Sequence, residues 1–410
     1  MYAHSPERDG GHAPIGGAKH YDGYRSFDYL EAGTDYRAFE LAPQIGRVEP
    51  FVLPLDADDD ARARQLLETD IAVSLHDHCG IMPADMADND AYVREGREHY
   101  GYEGLAVSGL DAVFENMMDG TATITSKMGW KWSDVIHDLG MHLADVAHQS
   151  MVFVASTVED IERAHRDGRI ALIPSMESAT PIENELDRLD VLFGLGVRMM
   201  GVAYSESNAL GGGLKEVTDG GLTQLGRAAV TRMNKLGMAV DVSHAGNVTA
   251  LETCKLSTKP VFISHAGARA LWDIPRMKPD HVIKAVADTG GVIGIEAAPH
   301  TTLTTKHPLH SIESVMEHFE YCVDLVGIDH VSFGPDTVFG DHVGFHEAYA
   351  AHMDAGDEGE HPRAPYVKGL ENISEYPNVV RWLVKHDYGD EDIAKAIGAN
   401  TLRALREVWT

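Results

Sequence analysis

Eight short apolar runs, separated by longer stretches of helical period, constrain this 410-residue chain more than any other feature. They are IAVSL (71–75), DAVFENM (111–117), IALIPSM (170–176), VRMMGVAYS (197–205), MAVDVSH (238–244), PVFISH (260–265), GVIGIEAA (291–298) and HVSFGP (330–335). Apolar runs of strand length describe strands buried on both faces, as in a parallel sheet covered by helices. Eight of them point to an α/β fold, a (β/α)8 TIM-type barrel; a doubly wound open sheet is the competitor. No GxGxxG fingerprint follows the first run, which weighs against dinucleotide binding.

Between the runs lie amphipathic stretches such as LTQLGRAAVTRMNKLG (222–237) and SIESVMEHFEYCVDLVG (311–327). The chain ends in a further amphipathic helix, EDIAKAIGANTLRALREVW. The segment 341–376, rich in His, Asp, Glu and Gly, reads as a loop beside the eighth strand. Residues 1–70 show no sustained period of 3.6 or 2, apart from DADDDARARQLLETD, whose acidic first turn suits a helix dipole. The expected organisation is an N-terminal extension, 1–70, packing as an arm on the barrel or a neighbouring subunit, followed by a hydrolase-type barrel over 71–410.

With 64 Asp+Glu against 34 Lys+Arg the net charge is −30, which repels phosphate backbones and anionic lipid, so neither nucleic acid nor membrane is an expected partner. Three scattered cysteines, Cys79, Cys254 and Cys322, provide neither a disulfide framework nor a CxxC zinc knuckle. No apolar stretch approaches the about 18 residues of a spanning helix, and the N-terminus lacks a signal-peptide core. A soluble, cytoplasmic protein is the expectation.

The 23 histidines matter by where they fall. His76 and His78 follow the first run as His-Asp-His, and in extended chain residues i and i+2 share a side. Glu177 lies just past IALIPSM, His244 ends MAVDVSH, His265 ends PVFISH, and Asp336 follows HVSFGP. Each alone has an ordinary structural explanation: a cap, a turn, or an imidazole bonded to a carbonyl. Five runs ending in metal-type ligands are harder to assign to chance, because barrel active sites gather at that end of the strands. Four imidazoles and two carboxylates suit two divalent ions, Zn²⁺ first, with Mn²⁺, Fe²⁺ or Co²⁺ as alternatives. Glu177 is the natural bridge. Two ions sharing a water, with Asp336 to take and return its proton, describe a hydrolase acting on an amide or ester carbonyl.

With these residues in place, the chain resembles the membrane (renal) dipeptidase family of zinc peptidases, within the amidohydrolase superfamily. The similarity runs from about residue 70 onward. It is strongest in GGLTQLGRAAVTRMNKLGMAVDVSH (220–244), SHAGARALWDIPRMKPD (264–280) and the segment 368–409. The resemblance implies a (β/α)8 barrel, often a homodimer. It also implies metal roles for His76 and His78 on one ion, Glu177 as the bridge, His244 and His265 on the second ion, and Asp336 beside the water. Arg276 matches the arginine that holds the substrate's carboxylate.

The departures concentrate on the substrate side. Where the family has His-x-Asp this chain has His-Asp-His, and where it has a histidine after the fourth strand this chain has Tyr204, whose phenol can still donate to an oxyanion. Only the first aspartate of the family's Asp-Phe-Asp-Gly survives in Asp336-Thr337-Val338-Phe339-Gly340, and GIEAAPH (294–300) lacks the usual aromatic-Asn pattern. The expected substrate is a dipeptide or similar small amide with a free carboxylate. The open alternatives are an N-acyl amino acid, a lactone or ester, a specialised intermediate, or a non-catalytic metal-binding barrel.

Overall fold

All eight apolar runs contribute one strand each to a single parallel sheet in the computed structural model, which describes residues 19–116, 131–353 and 366–409. The strands are β1 (Val73–Asp77), β2 (Ala112–Asn116), β3 (Ile170–Met176), β4 (Met199–Gly201), β5 (Ala239–Asp241), β6 (Val261–Ala266), β7 (Val292–Ile295) and β8 (Val331–Phe333). They pair in that order, every pair parallel, from Val73 opposite Ala112 to Ile293 opposite Val331. The ring closes just beyond the last strand: Asp336 N–H donates to His76 O at 2.9 Å and His78 N–H to Thr337 O at 2.9 Å. The fold is a (β/α)8 barrel.

Three of the described strands had no counterpart among the runs; two of them, Gly80–Ile81 and His99–Tyr100, form a small antiparallel pair of their own. The third, Val152–Val154, pairs with Ile170–Leu172, the first half of β3, while Ser175 and Met176 in its second half pair with β4. The 341–376 segment also departs from the expectation of a loop, since His342–Met353 is a helix. Its Gly and His content resembles a loop and its apolar residues follow no stripe, yet the helix brings His342 and His346 together, rings 4.5 Å apart. Residues 354–365 and Met117 lie outside the described residues.

Local chemistry sets several of the helix ends. Asp56 caps Ala57–Thr69, its carboxylate accepting from Asp58 N–H and Asp59 N–H. Thr223 caps Gln224–Leu236, which stops at Gly237 in the left-handed region, φ 75°. The C-terminal helix is interrupted by a π turn, Lys395–Ala399. Gly398 sits there because a Cβ would lie 2.0 Å from Ile71 O, so the turn fits the backbone against the start of β1.

The described part of the arm is tied to the chain's own barrel. Lys19 Nζ pairs with the buried Asp111 at 2.5 Å, and Asp145 accepts from Tyr24 Oη at 2.7 Å and Phe27 N–H at 2.7 Å. Tyr29 stacks on His148, and Leu53 N–H donates to Asn378 Oδ1 at 2.8 Å. All three cysteines are buried thiols. Among the described residues no helix is long and apolar enough to cross a membrane.

Helix Ile312–Val326 carries a buried histidine with a consequence for stability. His318 Nδ1 accepts from Ala268 N–H at 2.9 Å and Nε2–H donates to Leu303 O at 2.9 Å, which requires the neutral ring. Burial lowers its pKa from 6.5 to about 4. The folded value lies below the unfolded one, so this contribution is present above pH 6.5 and is lost as pH falls towards 4. Across that window the loss is on the order of 3 kcal/mol. His318→Gln should melt below the unsubstituted chain at pH 7.5, with the gap narrowing steadily to pH 4.5. A gap independent of pH would show that the ring is not held neutral.

Candidate metal centre

Strand pleating sets the first pair of ligands. His76 and His78 point to the barrel axis at the C-terminal end of β1, and Asp77 between them points the other way. Asp77 accepts from Ser74 Oγ, from Thr337 N–H at 2.9 Å and from Thr337 Oγ1 at 2.9 Å. It is a strut fastening the end of β1 to the turn that carries Asp336. That turn is tight: Asp336 itself has φ 57°, in the left-handed region that Asp and Asn tolerate better than other non-glycine residues.

All six expected donors converge. Glu177 Oε1 lies 3.6 Å from both His76 Nε2 and His78 Nε2, whereas Oε2 lies 3.1 Å from His244 Nε2 and 4.0 Å from His265 Nε2. Asp336 spans the same gap, with Oδ1 3.1 Å from His78 Nε2 and 3.5 Å from His76 Nε2, and Oδ2 4.0 Å from His265 Nε2. Burial would raise the Glu177 pKa, but the imidazoles of His244 and His76 beside it hold it well below the usual carboxylate range. Burial, followed by the charge of His76, keeps His265 well below its ordinary value and therefore neutral.

A relay outside the ring orients His265. Asp241 accepts from Ser264 Oγ at 2.9 Å, and Ser264 Oγ accepts from His265 Nδ1 at 2.7 Å, leaving the Nε2 lone pair aimed inward. Glu177 is positioned in two ways. Asn116 Nδ2, at the end of β2, donates to Oε1, and Gly201 leaves room for the Glu177 carbonyl, which would lie 1.8 Å from a Cβ there. Tyr204 stacks on His244 at 4.1 Å between ring centres.

Arg276 reaches the same region and is already engaged. Its Nη2 donates to His265 O at 2.9 Å and to Glu296 Oε2, and Nη1 reaches Ser243 O at 3.4 Å. Glu296 follows β7, is fully buried, and its Oε1 has no hydrogen-bond partner. Burial pushes its carboxyl above the ordinary range against the pull of Arg276. Lys278 Nζ donates to Ala245 O at 2.7 Å, and burial lowers its pKa to about 7. Sequence reasoning passed over Asn116 and Glu296. Both stand at strand ends, so the rule that picked out the histidines would have found them had it been applied to all eight strands.

The donor set fits divalent cations. His76 Nε2 is buried without a hydrogen-bond partner, and His244 Nε2 faces His265 Nε2 at 3.0 Å, two imidazole nitrogens where a shared ion is the natural partner. Three overlapping groups have ligand atoms within 4.8 Å of one another: His76, Glu177 and His265; His76, His78 and Asp336; His265, Glu296 and Asp336.

A parallel (β/α)8 barrel whose strand ends gather imidazoles and carboxylates around a buried point defines the class: a metal-centre barrel. The model of the membrane dipeptidase family (peptidase family M19) matches residues 135–348 and 359–410, and the chain belongs to that family. His76 and His78 precede the matched stretch. Dipeptidase tcpJ of Claviceps purpurea is 30% identical over 258 residues, 62% of this chain and 55% of that protein. Dipeptidase aclJ of Aspergillus oryzae is 28% identical over 283 residues, 67% and 60% of the two chains. The matched region thus spans little more than half the length of these curated relatives. An amidohydrolase from Pseudomonas aeruginosa shares the fold, with a TM-score of 0.69 at 24% identity, over 84% of this chain and 98% of that one.

Proposed function

We propose that the chain is a binuclear metal-dependent hydrolase cleaving the amide bond of a dipeptide or a similar small, carboxylate-bearing amide. The observation that carries this reading is the division of Glu177: one oxygen faces His76 and His78, the other His244 and His265. Membership of the dipeptidase family supports it. His76, His78, Glu177, His244, His265 and Asp336 would hold the ions, zinc first, with manganese, iron or cobalt as alternatives. When bound, such a pair supplies a nucleophilic water at neutral pH and Lewis acidity towards a carbonyl.

The chain's own groups account for the rest. Asp336, against His78 and open towards His265, takes the proton and returns it to the leaving amine. The Tyr204 hydroxyl donates to the developing oxyanion from its seat on His244. The N–H groups of Arg276 left over from Glu296 and the main-chain carbonyls hold the substrate's carboxylate. A cytoplasmic homo-oligomer is the assembly and location that go with this reading.

The pairing of Arg276 with Glu296 favours one second reading, a neutral group at that end of the substrate, as in an ester or a lactone on the same ions. Arg276→Met separates the two. If a carboxylate binds there, KM for dipeptides should rise at least about tenfold with a smaller change in kcat, and an unchanged KM would remove the carboxylate from the site.

Metal content of the purified chain, followed by hydrolysis of a mixed L,L and L,D dipeptide library, tests the proposal as a whole. About two equivalents with dipeptide turnover is expected. Two equivalents without turnover would move the search to esters and N-acyl amino acids. A chain that takes up no metal would overturn the proposal.

A further inference from the structure

Beside the barrel mouth lies a cavity of about 520 Å³ that shares no lining residue with the metal centre. The arm around Phe27 and Tyr36, the segment from Met82 to Glu98, and helix Trp132–Val146 enclose it. Its volume falls within the roughly 300–1,000 Å³ of small-molecule sites. Two of its side chains lack the partners their chemistry demands. Asn89 is 2% exposed, and neither its Oδ1 nor its Nδ2 has a hydrogen-bond partner. Buried polar groups in native proteins are nearly always paired, so an amide unmatched at both ends calls for a ligand.

Arg97 is the second. Its Nε is also buried and unmatched. The guanidinium lies over the rings of Phe27 and Tyr36, at 5.3 and 5.5 Å, and Nη1 makes only a weak contact with Met141 Sδ at 3.5 Å. Among the described residues no carboxylate pairs with it. Asp138 and Glu98, the latter 3.5 Å from His142 Nε2, line the same space. A simple anion would leave the Asn89 Oδ1 acceptor unmatched, and a simple cation would leave Asn89 Nδ2 and Arg97 Nε unmatched. A molecule carrying both charges on neighbouring atoms satisfies both.

We infer that this cavity binds a free α-amino acid as its zwitterion, one with a large apolar or aromatic side chain. Asn89 Oδ1 accepts from the ammonium and Nδ2 donates to the carboxylate, so the two open ends of one amide match the two ends of an amino-acid backbone. Arg97 Nε–H adds a charge-assisted bond to the carboxylate. Tyr36, Tyr92 and Phe345 wall the side chain. Amino acids are also what peptide hydrolysis releases, yet the inference stands without that reading, because none of these residues belongs to the metal centre.

Calorimetric titration of the full, metal-loaded chain with L-phenylalanine tests the inference. Phenethylamine, which lacks the carboxylate, and 3-phenylpropionate, which lacks the ammonium, are the comparators. Each should bind at least about tenfold more weakly than L-phenylalanine. Asn89→Leu and Arg97→Met should weaken L-phenylalanine by at least about tenfold while leaving metal content unchanged. Asn89→Leu removes an amide that has no partner to lose, and Arg97→Met gives the same comparison should that variant fail to fold. Equal binding by both variants would place the amino acid at the metal centre instead. Comparators as tight as L-phenylalanine, or no binding up to about 10 mM, would equally overturn the site.

Discussion

Glu177→Gln should strip the centre of metal, leaving less than about one equivalent after dialysis where the unsubstituted chain keeps about two, and activity should fall by at least about a thousandfold. The side chain is buried among four imidazoles, with one oxygen towards each pair. A glutamine has the same size but takes away the negative charge between two cations. It also turns an N–H donor towards one pair of imidazole nitrogens that must themselves donate lone pairs. Asn116 would then face an amide rather than a carboxylate. Elemental analysis with a parallel rate measurement checks this, and full metal content with undiminished turnover would remove Glu177 from the centre.

The second large effect is expected at Asp336. Asp336→Asn should keep the metal, because five donors remain, while kcat falls about 10²- to 10⁴-fold, the usual contribution of a general acid–base. The substitution isolates the proton role because it leaves the turn alone. Asp336 occupies the left-handed region at φ 57°, and asparagine is the residue that best tolerates that conformation after glycine. The backbone bond from Asp336 N–H to His76 O is likewise untouched. Metal retained with full turnover would show that another group moves the proton. Metal lost along with turnover would make Asp336 a ligand above all.

Much of this molecule is legible one segment at a time. The apolar runs yielded the eight barrel strands because a strand buried on both faces needs continuous apolar residues, a property of five or six neighbours. Helices 224–236 and 312–326 begin and end within a residue or two of the sequence reading because caps and stops are made by adjacent residues such as Thr223 and Gly237. Where local pattern was weak the reading failed. Helix His342–Met353 has no apolar stripe, and Val152–Val154 is only three residues long, held by pairing with β3 and by the Gln149 side chain on Val152. Asp77 illustrates a subtler limit. Within His-Asp-His the pleat places it opposite the two histidines, but its role as a strut comes from Thr337, 260 residues away.

By itself, then, the sequence determined the barrel class, the strand ends that carry His76, His78, Glu177, His244, His265 and Asp336, and the resemblance that led to the family. Tertiary structure alone decided which Glu177 oxygen meets which imidazoles, that Arg276 is paired with Glu296, that Asn116 braces the centre, and that Asn89 and Arg97 open onto one cavity. The physical reason is range. Periodicity and capping are interactions between near neighbours, which a sequence displays directly. Convergence at a barrel mouth depends on strand tilt, register and closure, which sum contributions from the whole ring before two distant side chains can meet.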